Sequence, residues 1–93
     1  MTLPTKRNHG FPVHNLKVDQ PYFDALASGH KTFEVRYNDR GFQPGDLLFL
    51  QEWTGSQYTG RSISRSVSYV LRDGEKFGVQ PGYVVLGLRD AGR

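Results

Sequence analysis

The sequence predicts a mainly β domain of the α+β class, with one or two short helices and a small sheet that curls or closes into a barrel. Five segments carry the alternating or continuous apolar pattern of strands, and one segment has the apolar spacing of a helix. With 93 residues, the chain is near the lower size limit for a self-sufficient core. Closing the sheet would protect its edge strands, which favours a barrel.

The composition is that of a globular protein, with 37% hydrophobic and 13% aromatic residues. The chain has no cysteine, which excludes disulfides and thiolate nucleophiles. No apolar run approaches the ~20 residues that span a bilayer, and the N-terminus lacks the apolar core of a signal peptide. We therefore expect a soluble, cytoplasmic protein without membrane association. The net charge of +3 is compatible with a nucleic-acid partner, although many small basic proteins bind no polyanion.

The two ends of the chain are predicted to lie outside the domain. Residues 1–13 contain two prolines and no apolar periodicity, so they are interpreted as a flexible arm. The folded domain is assigned to residues 14–90 and a short tail to residues 91–93. The first strand of the domain is the alternating segment HNLKV, residues 14–18.

The segment DQPYFDALASG, residues 19–29, predicts a helix of about two or three turns. Asp19 can cap its N-terminus and Pro21 suits its first turn. Gly29 can end it, because glycine readily adopts the left-handed conformation that closes many helices.

The clearest alternating strand is KTFEVRYN, residues 31–38. Its apolar residues are expected to face the core, and its polar residues are expected to form a recess on the opposite side. The apolar set is Phe33, Val35 and Tyr37, and the polar set is Thr32, Glu34 and Arg36.

Three further strands are predicted in the second half of the chain. Glycine, proline and small polar residues separate them and mark the connecting loops. The strands are LLFLQEW (47–53), SISRSVSYVL (62–71) and YVVLGLR (83–89).

Three charged residues near the second strand are the strongest candidates for a binding site. Lys31 follows a predicted helix end and could hold a phosphate, but it could equally satisfy the last carbonyls of the helix. Glu34 and Arg36 lie two residues apart on one face of the strand. They could accept a base amino group and grip a phosphate, or they could form an exposed ion pair of little energetic consequence.

Residues in the loops could extend this site. Arg40 follows the strand and could reach back to a phosphate. Tyr58 and Arg61 lie in a predicted turn, where the ring could stack on a base and the guanidinium could form a basic rim. Trp53 is expected to pack in the core. The three histidines have no metal-like spacing and no glycine-rich phosphate loop precedes a helix, so neither a metal nor another cofactor is expected.

Five sequence blocks between His14 and about Leu88 resemble the ASCH domains of the PUA-like superfamily, and especially a compact bacterial and phage group related to them. The combination of KTFExR, NDR and a following GD is the specific part of the likeness. The blocks are HNLKV, PYFDALASGHKTFEVRYNDRGFQPGD, LFLQEW, YTGR and GYVVLGL. The resemblance implies a five- or six-stranded pseudobarrel with a helix at one opening. It also implies that RNA or nucleotides bind in a cleft between helix and barrel.

Some ASCH members resemble small amidohydrolases that act on acylated cytidine, and this likeness implies a second possible function. Their pattern has a lysine at the position of Lys31 and a threonine three residues later, where this chain has Glu34. Their further carboxylate follows the fourth strand, at a position that Asp73 or Glu75 could occupy. Because this chain has glutamate at position 34 where those relatives have threonine, we rank hydrolysis below RNA or nucleotide binding.

Three functions therefore remain open, in this order. The first is an RNA- or nucleotide-binding module that acts as a monomer, with ligand contacts from Lys31, Thr32, Glu34, Arg36, Arg40, Tyr58 and Arg61. The second is an amidohydrolase, with catalytic roles for Lys31, Glu34 and Glu75 and an orienting role for Thr32 or Glu34. The third is a protein-interaction adaptor with an exposed apolar patch around Trp53 and Tyr58.

Overall fold

A computed structural model describes residues 6–8 and 10–91, with side chains described from residue 10 onward. Within these ranges the chain forms six strands, one α-helix and one short 3-10 helix, which confirms the predicted mainly β class. The elements are β1 (Lys6–Asn8), β2 (Phe11–Asp19), α1 (Gln20–Ala27), β3 (Phe33–Tyr37), β4 (Leu47–Trp53), β5 (Tyr58–Leu71), the 3-10 helix (Gly74–Phe77) and β6 (Tyr83–Asp90).

The helix α1 begins and ends within the predicted segment, and Asp19 is its N-cap residue but makes no capping hydrogen bond through its side chain. Pro21 lies in its first turn, and Gly29 adopts a positive φ of 85° just beyond the C-cap residue Ser28. Phe23 and Leu26 are buried against the sheet. Across the ranges that the structure describes, neither helix has the length and apolar character needed to cross a membrane.

The six strands form one sheet in the order β1-β2-β4-β5-β6-β3. Strands β2 and β4 are parallel, and the other neighbouring pairs are antiparallel. The sheet curls into a half-barrel, but β2 and β3 are not paired through their backbones. The full closure that the sequence left open as one possibility is therefore absent among the described strands.

Two arginine side chains bridge the opening between β2 and β3. Nη2 of Arg36 donates to the carbonyl oxygen of Lys17 at 2.6 Å. Nη1 of Arg40, in the loop after β3, donates to the carbonyl oxygen of Asn15 at 2.9 Å. These contacts satisfy carbonyls on the open side of β2, where side-chain donors take the place of a backbone ladder.

The hydrophobic core lies inside the half-barrel under α1. Strand β4 contributes Leu48 and Leu50, which are fully buried, and the buried Phe42 anchors the loop before β4. The buried cluster consists of Leu16, Val18, Phe23, Leu26, Phe42, Leu48, Leu50, Val67, Val70, Val84 and Leu86.

The predicted orientation of β3 is wrong. Its apolar side chains are exposed, with 44% of Phe33, 49% of Val35 and 58% of Tyr37 accessible to solvent, whereas Glu34 is only 5% exposed. The register explains the difference, because directly paired residues of an antiparallel sheet share a face. Glu34 and Arg36 pair with Leu86 and Val84, the two buried residues of β6. The predicted polar recess therefore exists, but it lies on the inner side of the sheet.

Two element boundaries also differ from the prediction. Strand β2 begins at Phe11, and the segment Lys6–Asn8 pairs with its start, so part of the predicted arm over residues 1–13 belongs to the sheet. Residues 1–5, residue 9 and residues 92–93 lie outside the described ranges. Strand β5 begins at Tyr58, so Tyr58 and Arg61 lie in a strand instead of the predicted turn.

Candidate functional site

The turn between α1 and β3 positions Lys31 beside the first residues of the strand. Its backbone N–H donates to the carbonyl oxygen of Ala25 at 2.9 Å, which fixes the chain direction after the helix. Its side chain then points back along β3. Nζ donates to the carbonyl oxygen of Phe33 at 2.7 Å and to Oε1 of Glu34 at 2.8 Å. The ammonium of Lys31 therefore binds the strand and its carboxylate, and only the backbone N–H of Lys31 satisfies a carbonyl of the last helical turn.

Glu34 is a buried carboxylate that joins two cations. Oε1 accepts from Lys31, and Oε2 accepts from Nε of Arg36 at 2.9 Å and lies 2.8 Å from Nη2. Burying one carboxylate without partners would be costly, so both cations are needed to hold it there. The side chains of Lys31 and Arg36 are 18% and 26% exposed, which leaves one edge of this network open to solvent.

The open edge of the Lys31–Glu34–Arg36 network lines a cleft of about 560 Å³ between β2, α1 and β3. Three cations and two carboxylates line it, which gives a net positive charge. Aromatic residues of α1, β3 and β6 supply most of the remaining wall. The lining residues are Lys17, Val18, Asp19, Tyr22, Lys31, Phe33, Glu34, Val35, Arg36, Tyr37 and Tyr83.

Hydrogen-bond donors remain available on the two cations of the network. The ammonium of Lys31 has three N–H groups, and two of them donate to Phe33 and Glu34. The guanidinium of Arg36 uses Nε and Nη2, whereas Nη1 has no partner within the part of the chain that the structure describes. The cleft can therefore offer donors to a phosphate or a base edge without breaking the contacts that hold Glu34.

Five of the predicted site residues lie outside this cleft, namely Tyr58 and Arg61 on β5 and the three residues Thr32, Arg40 and Glu75. The side chain of Thr32 is exposed, and its carbonyl oxygen accepts from the N–H of Leu88 at 2.9 Å. Arg40 bridges to β2 below the cleft. Glu75 is exposed in the short 3-10 helix and is not among the lining residues. The network in the cleft thus brings together Lys31, Glu34 and Arg36 without these three.

Tyr58 and Arg61 lie on β5, near a different group of side chains. The ring of Tyr58 packs edge-to-face on Trp53, with centroids 5.0 Å apart. Nη1 of Arg61 lies 3.1 Å from Oδ1 of Asp24 and 3.3 Å from Oε2 of the buried Glu52. Arg61 is therefore already paired with two carboxylates, which explains its position without a ligand.

The sequence interpretation missed the four charged or aromatic cleft residues that come from elements other than β3 and the turn before it. Lys17 and Asp19 come from the end of β2, Tyr22 from α1 and Tyr83 from the start of β6. Each lies outside the KTFEVR segment in the sequence. They come close to it in space because the fold places β2, α1 and β6 beside β3. The only local signal was the alternation of HNLKV, which puts Lys17 out of phase with the buried Leu16 and Val18.

Another buried carboxylate, Asp46, lies away from the cleft. Its Oδ2 is 2.8 Å from Nε2 of His14 and accepts from the backbone N–H of Gln43 at 3.0 Å. The side chains of His14 and Asp46 are almost fully buried. Among the described residues, no three His, Asp or Glu side chains cluster closely enough to hold a metal ion.

Comparison with known proteins gives a family for the chain. Residues 13–88 match the family described as "Domain of unknown function (DUF3850)". The chain is also 36% identical over 58 residues to a protein of Escherichia phage P2 described as "Uncharacterized 12.9 kDa protein in GpA 3'region". That similarity spans 62% of this chain and 53% of the phage protein, or about half of its length. The family match covers both β3 and every lining residue of the cleft, and the chain therefore belongs to the DUF3850 family.

Proposed function

We propose that the cleft binds a nucleotide unit of single-stranded RNA. One observation carries the proposal: Glu34 is buried between Lys31 and Arg36, and the open edge of this network faces an aromatic-lined cleft. A buried ion pair that serves only stability is readily replaced by apolar residues. Its position at the wall of a cleft favours a role in holding a ligand.

The chemistry of the cleft suits the parts of a nucleotide. The free N–H groups of Lys31 and Arg36 can donate to phosphate oxygens, and a guanidinium binds phosphate with two parallel hydrogen bonds. The rings of Tyr22, Tyr37 and Tyr83 offer faces for a base, and stacking on such rings contributes about 1–3 kcal/mol per base. RNA recognition of this kind favours unpaired nucleotides, because their faces and edges are accessible.

The proposal includes a relationship to the ASCH domains of the PUA-like superfamily, and a cytoplasmic protein that acts as a monomer. The curled half-barrel with a helix beside its opening supports this relationship. The KTFExR element supports it further, since Lys31, Glu34 and Arg36 are the three residues of the network.

The proposal is tested by fluorescence anisotropy with labelled single-stranded RNA and DNA of mixed sequence. Arg36→Ala should weaken RNA binding about tenfold and reduce the dependence of affinity on salt by about one released ion, as for the loss of one phosphate contact. Arg89→Ala is the matched control, because Arg89 is an exposed arginine outside the cleft. Arg36→Lys keeps the charge and should give an intermediate affinity.

Two results would contradict RNA binding at this site. One is an affinity that does not change with salt concentration, since phosphate contacts release counterions. The other is an equal loss in Arg36→Ala and Arg89→Ala, which would indicate a general charge effect. Circular dichroism of each variant confirms that the comparison is made between folded proteins.

Hydrolysis of an acylated cytidine is the second candidate. It rests on the 2.8 Å contact between Nζ of Lys31 and Oε1 of Glu34 at the cleft wall, which provides an amine and a carboxylate for proton transfer. Glu75 does not line the cleft, so the proposed proton carrier would have to be Glu34. Incubation with N-acylated cytidines should release free cytidine, and a Lys31→Ala variant that hydrolyses them equally well would exclude this mechanism.

A further inference from the structure

A second hollow of about 470 Å³ adjoins the cleft. The two share Asp19 and Tyr22 as a common wall, so they are neighbouring parts of one surface. We call this second hollow the Trp53 hollow. Its lining residues are Asp19, Gln20, Pro21, Tyr22, Trp53, Thr54 and Gly55.

Lys17 stands between the cleft and the Trp53 hollow. It lines the cleft, and its Nζ lies 3.9 Å from the centroid of the Trp53 ring and 5.8 Å from that of Tyr58. Among the described residues its ammonium has no hydrogen bond and no carboxylate partner, in contrast to Lys31. The ring contacts hold this cation in place, and its donors remain available.

We propose that the ligand spans at least two nucleotides, with Lys17 on the phosphate that links them and the second base against Trp53. This inference rests on the proposed function, because the first nucleotide occupies the Lys31–Glu34–Arg36 cleft. The shared wall makes the two hollows suitable for consecutive units of one strand. Asp19 adds a carboxylate to that wall, so the linking phosphate is expected on the Lys17 side.

Single-stranded RNA fits this surface better than a protein segment. The cleft combines the cations Lys17, Lys31 and Arg36 with aromatic rings, and the adjoining Trp53 hollow adds the ring of Trp53. This combination of cations and rings suits an unpaired strand, where cations track the phosphate backbone and rings stack on the bases.

The test compares nucleoside monophosphates with the corresponding dinucleotides as competitors of a labelled RNA. In the wild-type protein, dinucleotides should bind about tenfold more tightly than monophosphates. In Trp53→Leu the ratio of the two affinities should fall to about one, and in Lys17→Gln it should fall to an intermediate value. The matched controls are Tyr69→Leu and Lys76→Gln, an exposed aromatic residue and an exposed lysine away from both hollows, and they should keep the wild-type ratio.

Intrinsic fluorescence of the wild-type protein gives a second readout that needs no variant. Trp53 is the single tryptophan of the chain, so its emission reports directly on the hollow. Dinucleotides should quench this emission at saturation, whereas monophosphates should leave it nearly unchanged. Equal affinities for both ligands, with no quenching by dinucleotides, would overturn the second subsite and leave the proposed function standing. Failure of both ligands to bind would overturn the proposed function and this inference together.

Discussion

Strands β3 and β4 belong to one sheet but present different residues to the core. In β4 the buried side carries Leu48 and Leu50, followed by Glu52 near the end of the strand, so most of this side belongs to the apolar core. In β3 the buried position belongs to Glu34, while Phe33 and Val35 face solvent. The two strands belong to the same sheet, so local sequence preference alone does not explain the difference.

The position of each strand in the sheet explains which kind of residue it buries. Strand β4 has β2 on one side and β5 on the other, and its inner face packs under α1. Strand β3 lies at the edge, and its inner face meets the opening toward β2. An apolar inner face there would leave the carbonyl of Lys17 without its guanidinium donor. The half-barrel instead uses this edge to hold charges at the wall of a cleft.

Shortening a buried side chain of β4 should have the largest effect on stability. Leu50→Ala is expected to lower the free energy of unfolding by about 2–5 kcal/mol, because it removes buried methyl groups and leaves a cavity. Urea denaturation followed by circular dichroism measures the loss. A decrease below about 1 kcal/mol would mean that β4 does not carry the core.

Removing the carboxylate of Asp46 should lower the free energy of unfolding by less than Leu50→Ala does, and it should leave RNA binding unchanged. Asp46→Ala leaves the buried ring of His14 without its partner and removes the acceptor of the part-buried N–H of Gln43. The expected loss is about 2–3 kcal/mol, since each unsatisfied buried group is costly. Denaturation measures it, and RNA affinity of the folded fraction should stay at the wild-type value. A selective loss of RNA binding would place Asp46 in the site instead.

The same substitution on the two faces of the sheet tests the inverted orientation of β3 directly. Val84→Thr places a hydroxyl in the core and should lower the free energy of unfolding by about 1–2 kcal/mol. Val35→Thr is its matched control on the exposed face and should change stability by less than about 0.5 kcal/mol. Equal losses in the two variants would show that Val35 is buried and that the described orientation is wrong.

Neutralising Glu34 should have the smallest effect on stability. Glu34→Gln keeps the shape of the side chain but weakens two charge-assisted contacts, so a loss of about 1 kcal/mol is expected. The positive charge of the cleft rises at the same time, and inorganic phosphate should bind a few-fold more tightly. Denaturation and phosphate titration measure the two changes. Weaker phosphate binding in this variant would mean that Lys31 and Arg36 lose their positions without the carboxylate.

The sequence was sufficient for most of the fold because its periodic segments are unambiguous. The continuous apolar run around Leu48 and Leu50, and the helix signals at Pro21 and Gly29, all correspond to elements of the structure. The segment Gly74–Phe77 was predicted only as part of a loop, because one turn of 3-10 helix leaves almost no periodic signal.

The orientation of β3 was beyond sequence reasoning for a physical reason. Alternation defines two faces of a strand but does not say which one is inside, and a shift by one residue exchanges them. The partner strand offers no help, because β6 carries apolar residues on both faces, with Val84 and Leu86 inside and Val85 partly exposed. The inner face of β3 is identified by the pairing of Glu34 with the buried Leu86, which places both residues on the same side of the sheet.

The sequence predicted only those residues of the candidate site that lie close together in the chain. Lys31, Glu34 and Arg36 fall within six residues, and their types and spacing indicated a shared network. Lys17 and Tyr83 reach the cleft through the parallel pairing of β2 with β4 and the antiparallel pairing of β6 with β3. Neither residue carries a local pattern that points to a ligand.

Backbone amide NMR during titration with a nucleoside monophosphate tests the central claim most directly, since it locates the ligand without any substitution. The largest chemical-shift changes are expected at residues 17–19 and 31–37 and at Tyr83, which surround the cleft. The 3-10 helix Gly74–Phe77, which lies outside the lining residues, should show little change. Shift changes centred on that helix, or spread evenly over the surface, would contradict binding in the cleft beside Glu34.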